Sequence, residues 1–80
     1  MDKKIIIMFQ YNGKTADVEI PTDITADELI HGLNRGFNLG IDVDAYERIH
    51  MRSDNPIALI KGDISIEDLG LRNGSSVYFE

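Results

Sequence analysis

The sequence predicts an α+β domain, a mixed sheet of four to five strands with one main helix packed across it. Three observations carry that expectation. Apolar residues alternate with polar ones near both ends of the chain, the pattern of half-buried strands. An Asn12-Gly13 pair separates the first two strand-like runs and is the strongest short-range hairpin signal. Between the ends, Thr25 to Phe37 opens on a capping signal and then places its apolar residues on one helical stripe.

Lys4 to Gln10 is dense in β-branched and aromatic residues and reads as a strand. Tyr11-Asn12-Gly13-Lys14 turns the chain, and Thr15 to Ile20 then alternates, with Ala16, Val18 and Ile20 on one side and Asp17 and Glu19 on the other. Pro21 ends that ladder because it has no N–H to donate. Thr25 can cap the next helix, and Glu28 three residues on completes a capping box. Ile24 and Leu29 flank the cap as a hydrophobic staple, Leu29, Ile30, Leu33 and Phe37 form the buried stripe, and Gly40 is the expected stop. Gly32 and Gly36 lie inside the helix, each costing about 1 kcal/mol relative to Ala. Close packing of helix on sheet is the expected reason for them.

Tyr46 to Arg52 alternates again, with Ile49 and Met51 opposite Arg48, His50 and Arg52. Ser53-Asp54-Asn55-Pro56 is turn chemistry, and Ile57 to Lys61 is a short strand. Ser65 to Leu69 suggests one helical turn, Asn73-Gly74 another turn, and Ser75 to Glu80 a closing strand with Val77 and Phe79 inward and Tyr78 outward. The order β, β, α, β, β, short helix, β is the β-grasp arrangement. Its first and last strands run parallel at the sheet centre, and residues 1–80 form a single domain.

Composition narrows the function. An 80-residue chain with 42% apolar and 28% charged residues supports one core and little else. There is no cysteine, hence no thiolate nucleophile or Cys-based zinc site. A net charge of −6 argues against nucleic-acid binding, which relies on Lys and Arg neutralising phosphates. The opening Met1-Asp2-Lys3-Lys4 and the apolar run after it are too short for a signal peptide. No run approaches the roughly 20 apolar residues of a membrane span, so no direct membrane insertion is expected.

Catalytic chemistry is hard to find. His31 and His50 have no second His or Cys at ligand spacing. Asp42-x-Asp44 lacks the glycine and the twelfth-position glutamate of a calcium loop, and reads as solvated loop charge. The glycine runs match no phosphate-binding fingerprint, and no motif sets a nucleophile beside a base. The expectation is a protein without enzymatic activity, cofactor or metal.

The whole pattern resembles ubiquitin, most closely at Ser65-Ile66-Glu67-Asp68-Leu69-Gly70-Leu71 and at Asn73-Gly74-Ser75-Ser76-Val77. Within ubiquitin-like proteins the chain is most similar to the YukD/EsaB family of bacterial type VII (ESX-like) secretion systems. Tyr11-Asn12-Gly13, Asp17-Val18-Glu19-Ile20 and Asp68-Leu69-Gly70-Leu71 with Asn73-Gly74 carry that resemblance. It implies a cytoplasmic accessory protein, recruited to a membrane secretion complex, that binds another component of the machinery. The sequence ends at Phe79-Glu80 without Gly-Gly, so the expectation is a module that does not conjugate. A protein modifier or sulfur carrier is the alternative.

A candidate interface follows from the two-residue period. With Val18 and Ile20 in the core, the register suggested by the family puts Ile6 and Met8 inside. Ile5, Ile7 and Phe9 then face outward beside Tyr78, with Arg48, His50 and Arg52 at one edge and Asp17 and Glu19 at the other. The expected partner-binding residues are therefore Ile5, Ile7, Phe9, Arg48, His50 and Tyr78. A one-residue slip would exchange the two sets on the first strand. Coverage by the N-terminal residues or by a second copy in a homodimer are the competing readings.

Overall fold

Asn12 and Gly13 take positive φ angles of 47° and 74°, the left-handed pair that a type I′ turn demands. That turn joins β1 (Lys4–Tyr11) to β2 (Lys14–Pro21). The remaining elements are α1 (Ala26–Phe37), β3 (Met51–Asp54), β4 (Ala58–Ile60), α2 (Ile66–Leu69) and β5 (Ser76–Phe79). The computed structural model describes residues 3–41, 51–54 and 57–79. Expectations for Asp42, Asp44, residues 46–50 (Arg48 and His50 among them), Asn55-Pro56 and Glu80 lie outside the described residues.

The strands form one mixed sheet of order β2-β1-β5-β3-β4. β1 and β5 run parallel at its centre, and the other neighbours are antiparallel. The parallel pair needs its own anchor, and the Asn73-Gly74 turn supplies one. Ile6 donates its N–H to the Asn73 Oδ1 at 2.8 Å, and Gly74 donates its N–H to the Ile6 carbonyl at 2.9 Å.

The helix starts as its sequence foretells. Thr25 Oγ1 accepts from the Glu28 N–H at 3.1 Å while Glu28 Oε1 accepts from the Thr25 N–H at 3.0 Å, so both halves of the capping box form. Two further first-turn amides find partners on the segment before α2: Ala26 donates to the Ile64 carbonyl and Asp27 to the Gly62 carbonyl, at 2.8 and 2.9 Å. The Gly62 N–H returns to Asp27 Oδ1 at 2.9 Å. The helix N-terminus is thus satisfied by chain far away in sequence, which ties α1 to the second half of the domain.

Leu29, Ile30 and Leu33 are buried, and Phe37 packs against the same cluster. Phe9, Tyr11 and Phe37 form an aromatic trio with centroid separations of 5.0 to 5.2 Å. The helix ends earlier than the Gly40 signal suggests. Asn38 adopts the left-handed conformation at φ 54° and caps it, a position Asn tolerates because its short side chain can bond locally. Asn34 holds the exit by accepting from the Ile41 N–H at 3.0 Å and donating to the Ile41 carbonyl at 3.1 Å.

Two expectations are overturned. Ile7 and Phe9 are 0% exposed and Ile5 packs against the core, whereas Ile6 and Met8 keep 50% and 37% of their surface. The cause is the turn. A two-residue loop sets Tyr11 opposite Lys14, and counting outward pairs Phe9 with Ala16, Ile7 with Val18 and Ile5 with Ile20. Opposed residues share a face, so the burial of Ile20 and the partial burial of Val18 carry Ile5, Ile7 and Phe9 inward. Gly32 and Gly36 are also not packing contacts: both are exposed, and a Cβ at either would meet nothing within 4 Å.

Candidate functional site: the open face of the sheet

α1 covers one side of the sheet, and strand register alone determines what lies on the other. Gln10 pairs with Thr15 on β2 and Tyr78 on β5, Tyr78 pairs with Arg52 on β3, and Arg52 pairs with Leu59 on β4. These five residues make one continuous row across the whole sheet. A neighbouring row runs Asp17, Met8, Ser76, Asp54. Each row draws on segments far apart in sequence.

The face is acidic along β2, where Asp17 and Glu19 are exposed. Exposed Lys4 approaches Glu19 at 3.9 Å, an ion pair of small energetic value at such a site. Ile6 and Met8 form the apolar middle. On the far side Leu59 is 55% exposed and Ile57 86%. The Arg52 guanidinium lies 6.0 Å from the centroid of the Tyr78 ring, at the outer limit of a cation–π contact. Arg52, Asp54, Ile57, Tyr78 and the edge of Ser53 enclose a shallow hollow of about 400 Å³.

Of the expected partner-binding residues, Tyr78 stands on this face, half-buried beside Arg52. Ile7 and Phe9 belong to the core, and Ile5 packs against it. Sequence reasoning missed Ile6, Met8, Ile57 and Leu59. The first two were legible from the Asn-Gly turn, which dictates which residues oppose each other. Ile57 and Leu59 carry no such signal, because a three-residue strand has too short a period to reveal its outer side.

Among the described residues, no three of His, Asp or Glu gather as a metal site. No helix among them is long and apolar enough to cross a membrane.

The fold has known counterparts. A ubiquitin-like domain from tubulin-binding cofactor B superposes with a TM-score of 0.76 at 20% identity, covering 99% of this chain and 90% of that one. The C-terminal ubiquitin-like domain of mouse tubulin-specific chaperone e gives 0.74 at 10% identity, covering 98% and 86%. At such identities the likeness establishes a ubiquitin-like β-grasp fold. No curated protein matches the chain by sequence. A family profile does, over residues 5–78, and its description is "WXG100 protein secretion system (Wss), protein YukD". That match spans nearly the whole β-grasp domain, so the chain belongs to the YukD family and is a ubiquitin-like protein associated with type VII secretion.

Proposed function

We propose that this protein is a non-covalent docking module of the secretion machinery, acting in the cytoplasm by binding another component rather than by catalysis. One observation carries the reading: exposed Ile6 and Met8 on β1, and exposed Ile57 and Leu59 on the far side at β4, flank the Tyr78–Arg52 pair on the uncovered side of the sheet. Contiguous exposed apolar surface on a small domain marks an interaction site. Tyr and Arg are the side chains that most often anchor such contacts. Tyr78 is the anchor retained from the sequence reading; Met8 and Leu59 replace Phe9 and Ile7 beside it.

Photo-crosslinking in cells tests this. A photoreactive residue at position 8 or 59 is expected to trap one defined secretion component on illumination, while the same residue at His31 on α1 traps none. Adducts only between copies of this chain would replace the reading with a homodimer. A covalent adduct formed without light would revive the modifier or sulfur-carrier alternative.

A further inference from the structure

A second surface lies around the corner from the open face, at the free edge of the sheet. β2 is the outermost strand, and no described strand pairs with its outer side. The phase of its backbone follows from the turn. The pair flanking a two-residue hairpin loop is hydrogen-bonded, and pairs alternate from there. Lys14, Ala16, Val18 and Ile20 therefore direct their backbone groups at β1. Thr15, Asp17 and Glu19 direct theirs outward. β1 shows the matching phase, since the Met8 N–H and the Ile6 carbonyl bond Ser75 and Gly74 on the side away from β2. Pro21 closes the free edge, having no N–H to offer.

Beside this edge runs an apolar groove of about 290 Å³ between β2 and α1, walled by Val18, Ile20, Leu33 and Phe37 and opened by Gly32 and Gly36. The two glycines weaken the helix and serve no contact within the domain, because a Cβ at either finds empty space. Their effect is to keep the groove wide along its length. An added strand would lie about 4.8 Å beyond β2. Its alternate side chains would then align with Val18 and Ile20 and descend toward the glycine stripe. Free ladder groups and an apolar trough with a two-residue repeat together specify an extended chain as the occupant.

Charge selects which extended chain. The charged residues lining the groove are Glu19 and Glu28, and the edge strand carries Asp17 and Glu19 along its length with a single Lys14 at its turn end. Lys4 meets Glu19 at 3.9 Å from the open-face side, with both side chains exposed, and leaves the rim acidic. A second copy is a poor occupant. Pairing two β2 edges brings Asp17 and Glu19 alongside their own counterparts in a protein of net charge −6, and like charges opposed across strands repel.

We propose that the outer edge of β2 and the adjoining α1 groove bind an extended peptide segment as an added strand, with apolar residues at alternate positions and basic residues at the flanks. The site is separate from the open face, and either can fail without the other.

The test uses the full chain and two fluorescein-labelled probes, Arg-Thr-Val-Thr-Val-Thr-Val-Arg and the same peptide with Glu at both ends. Anisotropy is expected to show the Arg-flanked probe binding at least tenfold tighter, and Glu19→Lys to narrow that preference. Amide exchange of Thr15, Asp17 and Glu19 is expected to slow at least tenfold on binding. Gly32→Leu, which fills the groove from its open side, is expected to weaken binding at least tenfold with an unchanged circular dichroism spectrum. Should that variant misfold, methylation of alternate backbone amides in the probe removes ladder donors without touching the protein and is expected to abolish binding. No binding at millimolar probe, equal binding of both probes, or amide shifts confined to Met8 and Tyr78 would overturn the proposal. So would protection of the β2 edge that rises with protein concentration without probe, since that would make a second copy the occupant.

Discussion

Ile7 and Phe9 are sealed beneath α1, while Ile6 and Met8, one residue away on the same strand, stand in solvent on the other side of the sheet. Ile6 and Met8 are almost as apolar as Ile7 and Phe9, yet the two sides of β1 have opposite roles. The inner side meets the helix stripe and the aromatic trio and supplies cohesion. The outer side meets only its neighbours in the sheet, and its apolar surface is left for something outside the domain. Equal hydrophobicity thus does two jobs, and the helix decides which is which by covering one side.

Four variants sharpen or break that contrast. The largest effect is expected at Phe9: Phe9→Ala removes a fully buried ring and is expected to cost about 3–5 kcal/mol. A domain of this length holds about 4–12 kcal/mol in all, so urea denaturation should find a large fraction of the stability lost. A loss under about 1 kcal/mol would mean that Phe9 is not the core ring the structure makes it. Next comes the device that seats the helix. Thr25→Ala deletes the cap oxygen 3.1 Å from the Glu28 N–H and is expected to lower stability by about 1 kcal/mol, read as a lower urea midpoint at unchanged slope.

A smaller change of opposite sign is expected on the exposed side of α1. Gly32→Ala adds a methyl group to open space and is expected to raise stability by somewhat less than about 1 kcal/mol through helix propensity. A destabilised variant would show that the glycine is needed within the fold. The smallest effect belongs to the open face. Ile6→Ser combined with Met8→Ser is expected to stay within about 0.5 kcal/mol of the parent while removing the photo-crosslinks made from position 59. Marked destabilisation would put those side chains in the core and erase the contrast between the two sides of β1.

Much of the fold was legible because its signals are local. The capping box needs only Thr25 and Glu28, the hairpin only Asn12-Gly13, and the closing strand only the alternation of Val77, Tyr78 and Phe79. The assignment of β1's two sides was legible too, but only by counting through the turn. Family likeness suggested the opposite register, and the turn overrules it. The helix end was less legible: Gly40 is the usual residue for a left-handed cap, and Asn38 reached that conformation first. Gly32 and Gly36 looked like contact residues by spacing. Spacing marks a helix face without saying whether anything packs on it.

By itself, then, the sequence determined the main elements, their order and, through the Asn12-Gly13 turn, which residues of β1 and β2 stand opposite each other, because periodicity, caps and tight turns act over a few residues. Only the tertiary structure decided which residues from distant segments share a surface. The row from Thr15 through Gln10, Tyr78 and Arg52 to Leu59 takes one residue from each of the five strands. The groove sets the β2 edge against a glycine face of α1. Such juxtapositions depend on strand order and on where the helix comes to rest, which arise when the whole core closes and leave no periodic trace in the chain.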